Sequence, residues 1–181
     1  AFHASHPRLP VGLSEYGADA LVAYQSPTPA VGDYSESYQE YYHETLLEQI
    51  EKMPYLWCTY VWNMFDFAAD AREEAGDPGK NHKGLVTYDR KIKKDAFYVY
   101  KARWSREPFV HLAGSRYVYR HEATTRIRVH TNLPKVALHR RAHFGQASDR
   151  HAPRRVPRTL PVHALTNNGS TVTASEPGRG A

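Results

Sequence analysis

The sequence predicts an α/β segment followed by an all-β segment. Two apolar, β-prone runs alternate with two amphipathic stretches between residues 8 and 105, the order expected of parallel strands joined by helices. From Pro108 onward short β-type runs follow one another with no helical stretch between them, which is the pattern of a sandwich. A polar, Gly-rich loop of about twenty residues separates the second strand from the second helix, and loops of that length in a compact domain are functional or disordered.

The elements follow in order. Residues 8–14 read as a short buried strand between Pro7 and Gly17. A Pro/Gly-rich link, SPTPAVGD, leads to a helix for which Asp33 is the expected N-cap and Glu36 its capping-box partner. Tyr38, Tyr42, Leu46 and Ile50 recur at four-residue spacing and predict the buried face; the carboxylates from Glu36 to Glu51 then fall on a solvated face. That helix must stop before Pro54. YLWCTYVW (55–62) is β-branched and aromatic throughout and reads as a strand buried on both faces. After the loop, KKDAFYVYKARWS predicts a second helix with Phe97, Tyr100 and Trp104 on one side. Trp57 and Trp104 are expected in the core. In the second segment PFVHLAGSRYVYR, TTRIRVHTN and KVALH are the candidate strands, and the boundary is placed between residues 106 and 107. No internal repeat is visible.

Composition narrows the function classes. The chain has 181 residues, 41% hydrophobic and 12% aromatic, with three Trp and 13 Tyr, enough for a real core. Its net charge of +5 is local: from Lys135 onward eight Lys/Arg face only Asp149 and Glu176, so the remainder is near neutrality. The basic stretch at 139–163 lacks interleaved aromatics apart from Phe144 and matches no nucleic-acid-binding fold, so no nucleic-acid partner is expected. No run is long and apolar enough to span a membrane. The one cysteine, Cys58, fits a reducing compartment, and a cytoplasmic setting is expected. The chain opens on Ala1 without Met or a signal peptide, which reads as part of something larger. His139 and His143 are four apart but have no helix or third ligand to make a metal site; no metal is expected here. NGS at 168–170 matches a glycosylation acceptor, relevant only in a secretory setting.

Four motifs carry a resemblance. SEYGADA, DYSESYQEYYHE, YLWCTYVWNMFDFAADAREE and GKNHKGLVTYDRKIKKDAFYVYKARWSREPFVH, in that order and spacing, resemble the C-terminal part of glycoside hydrolase family 2 enzymes, bacterial β-galactosidases above all, over roughly residues 9–134. The resemblance implies that residues 1–106 are the last two βα units of a (β/α)8 TIM barrel. It implies that 107–181 are part of an immunoglobulin-like β-sandwich. In such barrels the site lies at the C-terminal ends of the strands, where Glu15, Trp62 and Asn63 stand.

The resemblance also assigns roles. Retaining glycosidases use two carboxyl groups about 5–5.5 Å apart, a nucleophile and an acid/base, and it makes Glu15 the nucleophile of a double displacement on terminal β-D-galactosides. A tyrosine such as Tyr16 could donate a hydrogen bond that keeps it ionised, and Gly17 lets the chain turn away without blocking the sugar. Trp62 offers an indole face to the sugar. Asn81 and Lys83, in NHKG, form the Asn-x-Lys pair by which β-glucuronidases of the family bind the sugar carboxylate; a lysine suits an anion as a compact charge. Neighbouring motifs look β-galactosidase-like, so galactoside is the preferred substrate and glucuronide the alternative. The chain departs from some β-galactosidases after the nucleophile, where Ala18 and Asp19 stand in place of a histidine. The acid/base glutamate belongs to a region upstream, so residues 1–181 alone are expected to be inactive and to need the N-terminal part of the same enzyme. No cofactor is implied for this segment; Mg²⁺ or Na⁺ is implied for some full-length members, as is homo-oligomerisation.

Beyond KVALH the resemblance fails at HRRAHFGQASDRHAPRRVPRTLPVH, which has no strand alternation. A pair of compensating frameshifts and a divergent insert both account for it; reading the gene in its other frames separates them. The rival reading of the whole chain is a non-catalytic carbohydrate-binding or interaction module. Two βα units cannot close a barrel and leave apolar strand edges open, which favours the enzyme-fragment reading.

Overall fold

A computed structural model describes residues 2–119, 127–133, 135–139, 162–166 and 171–175. The chain divides into two compact units, Ala1–Lys101 and Ala102–Ala181; the division falls inside the second long helix rather than after it. No described helix is long and apolar enough to cross a membrane.

The first unit opens with a short helix, α1 (Phe2–Ser5), followed by strand β1 (Val11–Tyr16), helix α2 (Glu36–Glu51) and strand β2 (Leu56–Val61). β1 and β2 are parallel neighbours, so β1, α2 and β2 form one βαβ unit. The pairing is irregular in an informative way. Leu13 pairs with Thr59 and Tyr16 with Val61, so β1 carries an extra residue where β2 has none, a bulge that bends the strand and re-aims side chains. Leu13 and Tyr16 both face the core, while Ser14 and Glu15 are exposed.

The long loop folds into a small hairpin: β3 (Phe67–Ala68) pairs antiparallel with β4 (Lys80–Asn81), with a short 3₁₀ turn at Glu74–Gly76 between them. Helix α3 (Asp95–Trp104) follows. The core is built from Tyr16, Leu47, Leu85, Ala96, Val99 and Tyr100, with Leu13, Tyr42, Leu46, Ile50, Val61 and Phe97 packed partly buried against it.

Helix α2 corrects two expectations. Its N-cap is Ser35, whose Oγ accepts from the Tyr38 amide at 3.0 Å, while Asp33, two residues earlier, accepts from the Ser35 amide at 2.8 Å. Its fully buried stripe is polar: Glu36, Gln39, Glu40, His43 and Glu44 precede Leu47, and Tyr38, Tyr42, Leu46 and Ile50 only flank it. The first carboxylates are therefore not solvated-face charges. Buried polar groups persist because they are hydrogen-bonded. Glu36 accepts from Gln25 Nε2 at 2.8 Å and from the Asp95 amide at 2.7 Å, and so caps the start of α3. Gln39 donates to the carbonyls of Ala18 and Gly84, and His43 Nδ1 lies 2.7 Å from the Tyr100 hydroxyl. The first turns of α2 thus fasten loops rather than shed water from an oily face.

Two tryptophans expected in the core are exposed: Trp57 at 69% and Trp104 at 66%. Trp57 lies beside Gly12, where a Cβ would come within 3.2 Å of its Nε1. Trp104 is the last residue of α3.

The second unit is a set of strands, β5 (Val110–Ala113), β6 (Ile127–Thr131), β7 (Lys135–His139), β8 (Val162–Thr166) and β9 (Thr171–Ser175). They form two sheets, β5-β6-β8 and β7-β9. The β5–β6 pair is antiparallel, but β6–β8 and β7–β9 are parallel, which departs from the antiparallel order of an immunoglobulin-like sandwich; parallel neighbours need a long crossover. Asn132 ties this unit's start together by donating to the carbonyls of Ser105 and Glu107 and accepting from the Phe109 amide. Of the basic stretch 139–163, residues 140–161 lie outside the described residues, as do His143 and the NGS site at 168–170.

Candidate active site

The C-terminal ends of β1 and β2 lie side by side, and glycine decides how closely. A Cβ on Gly17 would lie 1.8 Å from the Trp62 carbonyl oxygen, a separation no side chain tolerates. The Trp62 amide donates to the Tyr16 carbonyl at 2.7 Å across the same gap. Gly17 is therefore needed for a backbone approach, a reason different from the clearance for a sugar expected of it.

Glu15 stands at this rim on the exposed side of the bulge, and among the described residues its carboxylate has no hydrogen-bond or ion-pair partner. Tyr16 points the other way. Its ring is 5% exposed, in the core cluster and 6.1 Å from the His43 ring, so the structure does not bring it to Glu15. Trp62 is 39% exposed and makes an edge contact with Phe67 at 5.9 Å, which leaves part of the indole open beside the strand ends.

Asn81 and Lys83 come back to this rim by way of the hairpin. The Asn81 side-chain oxygen accepts from the Lys83 amide at 3.0 Å, a local turn that holds the two in register. The Lys83 carbonyl accepts from the Asn63 amide, next to Trp62. Lys83 Nζ lies 2.8 Å from Asp19 Oδ2, with the two side chains 22% and 15% exposed. Asp19 belongs to the loop that leaves Glu15. Its Oδ1 accepts from the His82 amide at 3.2 Å, with Arg72 3.8 Å away; Arg72 also pairs with Glu74 at 3.1 Å.

Beneath these loops is a buried ion pair. Lys94 Nζ donates to Asp66 Oδ1 at 2.9 Å, to the Ala20 carbonyl at 2.7 Å and to the His82 carbonyl at 2.9 Å. Asp66 also accepts from the Gly84 amide. Burial pulls the Lys94 ammonium below its ordinary value, countered by the Asp66, Glu36 and Asp19 charges. Burial likewise pushes Asp66 up, countered chiefly by Lys94. One cation thus joins the loop after β1, the loop after β2 and the Asn81–Lys83 turn.

Sequence reasoning missed Asp19, Gln39, Asp66 and Lys94 as organisers of this rim. Asp19 was visible only as a departure after Glu15, and Lys94 is one lysine among Lys91, Lys93 and Lys94. Gly84 is the one signal that was available: a Cβ there would meet the Asp66 amide nitrogen at 2.0 Å, and a glycine in NHKG advertises such an approach.

No family profile matches the chain. It is 43% identical over 142 residues to a β-glucuronidase of Bacteroides fragilis, covering 75% of this chain and 20% of that protein. It is 35% identical over 112 residues to a putative β-glucuronidase of Formosa agariphila, covering 60% of this chain and 13% of that one. Among solved structures it is similar to an FMN-binding β-glucuronidase from Facaelibacterium prausnitzii L2-6, with 45% identity, a TM-score of 0.67, and coverage of 74% of this chain and 21% of that one. It is similar as well to a putative β-galactosidase from Bacteroides fragilis, with 39% identity, a TM-score of 0.68, and coverage of 73% and 20%. The chain therefore spans about a fifth or less of the length of these relatives. Its homologues are bacterial β-glucuronidases and β-galactosidases, and it is similar to one portion of them.

Proposed function

We propose that this chain is the nucleophile-bearing portion of a retaining glycoside hydrolase of family 2, acting on β-glucuronides. On this reading residues 1–106 are the last two βα units of a TIM barrel. Glu15 attacks the anomeric carbon, the bond to the leaving oxygen breaks, and that oxygen takes its proton from an acid carried elsewhere in the intact enzyme. Water then releases the sugar from the glycosyl ester. Trp62 lies under the sugar's C–H face, and Asn81 and Lys83 meet its carboxylate.

The observation that carries the choice of sugar is the 2.8 Å contact of Lys83 with Asp19. It ties the lysine of the Asn-x-Lys pair to the loop that follows β1, and a lysine fastened next to the strand that carries Glu15 supports a role in reading a sugar carboxylate. The relatives named β-glucuronidase support it, and they move the weight from galactoside, the sequence-based preference, to glucuronide. The putative β-galactosidase from Bacteroides fragilis supports the galactoside reading.

The test is a comparison in the intact enzyme of kcat/KM for aryl β-D-glucuronide and aryl β-D-galactoside with the same aglycone. A preference for the glucuronide is expected, and a preference for the galactoside overturns the assignment. The nucleophile is checked separately with cyclophellitol-6-carboxylate aziridine, the compound covalently bound to a related Bacteroides uniformis β-glucuronidase. Peptide mapping is expected to find the label on Glu15 and to lose it in Glu15→Gln; a label on another carboxylate ends that assignment.

A further inference from the structure

We propose that Asp19 is a positioning residue that sets the acidic-sugar preference of this site by holding Lys83. The inference rests on the glucuronide reading above and adds to it a residue that touches neither the sugar nor the reacting atoms.

A lysine ammonium on four methylenes is a poor recognition element when free, because fixing its rotamers costs about 2 kcal/mol of side-chain entropy. Lys83 is fixed before any ligand arrives. Its Nζ sits 2.8 Å from Asp19 Oδ2 with both side chains mostly shielded from water. Its backbone is pinned by the Asn81 side chain on one side and by the Asn63 amide on the other. Asp19 is held in turn, since its second oxygen accepts from the His82 amide at 3.2 Å. The Ala20 amide beside it donates to the His82 carbonyl at 3.0 Å. An ammonium has three donors; Asp19 takes one and leaves two for a ligand. Arg72, 3.8 Å from Asp19 and 3.1 Å from Glu74, offsets the carboxylates so that Asp19 does not present a bare negative charge to the incoming anion.

The sequence position adds a consequence. Asp19 lies four residues beyond Glu15, on the loop that follows β1, while Lys83 lies in the long connection after β2. The contact therefore couples the strand end that carries the nucleophile to the group that reads the sugar's acid. A shift of Asp19 moves Lys83 relative to Glu15, and misplacement by about 1 Å costs up to a hundredfold in such sites.

The experiment is a double-substitution cycle in the intact enzyme, read as the ratio of kcat/KM for aryl β-D-glucuronide to that for the matched galactoside. Asp19→Asn keeps the shape and an oxygen for the His82 amide but removes the charge that holds Lys83; Lys83→Met removes the ammonium. Each is expected to lower the ratio about tenfold or more, and the double variant is expected to fall no further than Lys83→Met alone. Asp19→Glu, which keeps a carboxylate one methylene further out, is expected to retain more of the ratio than Asp19→Asn. A merely structural Asp19 lowers both substrates together and leaves the ratio unmoved, which overturns the proposal. A ratio that rises in Asp19→Asn identifies Asp19 as a competing charge and overturns it as well, as do losses that add in the double variant. If Lys83→Met itself leaves the ratio unchanged, the glucuronide reading fails first, and this inference falls with it.

Discussion

Replacing Lys94 by methionine keeps an unbranched, apolar side chain as far as the ε position and removes the ammonium, so it tests what that charge does. In the native structure the ammonium makes three short contacts, at 2.9 Å to Asp66 and at 2.7 and 2.9 Å to the carbonyls of Ala20 and His82. The Lys94 and Asp66 side chains are 1% and 5% exposed, so water replaces none of these partners. Breaking one side of a buried pair leaves a bare charge and costs about 3–5 kcal/mol. Lys94→Met is expected to lose that much, because Asp66 keeps one hydrogen bond, from the Gly84 amide, with the His82 ring no nearer than 3.8 Å, and the Ala20 carbonyl loses the ammonium. Asp66→Asn is expected to lose less, since Lys94 keeps both carbonyls. The double variant Asp66→Asn/Lys94→Met removes both charges and is expected to be more stable than the sum of the single losses predicts, by about 2 kcal/mol. Urea denaturation of the purified protein, with midpoints compared at a common slope, measures all four species. Single losses that add to within about 0.5 kcal/mol in the double variant refute the reasoning, because they mean that the two groups do not depend on each other.

Two further predictions concern stability. Gly17→Ala forces a methyl group against the Trp62 carbonyl, 1.8 Å away; a loss of about 1–3 kcal/mol is expected together with a changed tryptophan emission, and an unchanged midpoint and spectrum count against the close approach. His43 is wholly buried and its pKa is lowered from 6.5 to about 3 by desolvation, with Lys94 adding to the effect. The folded state keeps this ring neutral while the unfolded chain takes up a proton below pH 6.5. Its contribution is therefore complete above pH 6.5 and is lost as pH falls toward 3, at about 1.4 kcal/mol per pH unit. The difference in stability between the native protein and His43→Gln is expected to shrink by about 2 kcal/mol between pH 6.5 and pH 5; a difference independent of pH rules the ring out as the source.

The order of elements was legible from local pattern. Strand, helix, strand, loop and helix follow from residue type and spacing, and β1, α2, β2 and α3 fall where the apolar runs and Pro54 put them, within a few residues. The strand end at Glu15 and Gly17 was legible for the same reason. The site's wiring was not. Lys94 reaches Ala20 across 74 positions of sequence, Asp19 reaches His82 across 63, and Glu36 reaches Asp95 across 59. No window of sequence contains both partners of any of these contacts.

Helix α2 shows where a sequence rule gave the wrong answer for a physical reason. Hydrophobic periodicity assumes that a buried face is an apolar face. Here the buried stripe meets loop backbone, whose amides and carbonyls need partners, so Glu36 and Gln39 are worth more there than leucine. The tryptophans mislead in the opposite sense: Trp57 and Trp104 are large and apolar, yet both are open in this chain. What the sequence determined by itself was which residues could do chemistry and in what order they come: a carboxylate and a glycine closing one strand, a tryptophan closing the next, an Asn-x-Lys turn beyond. Only the tertiary structure decided that the bulge in β1 sends Glu15 outward and Tyr16 inward, and that Asp19 takes hold of Lys83. Residue type and spacing are local properties, whereas a side chain's direction at a bulge and its partner across two loops depend on backbone that lies far away along the chain.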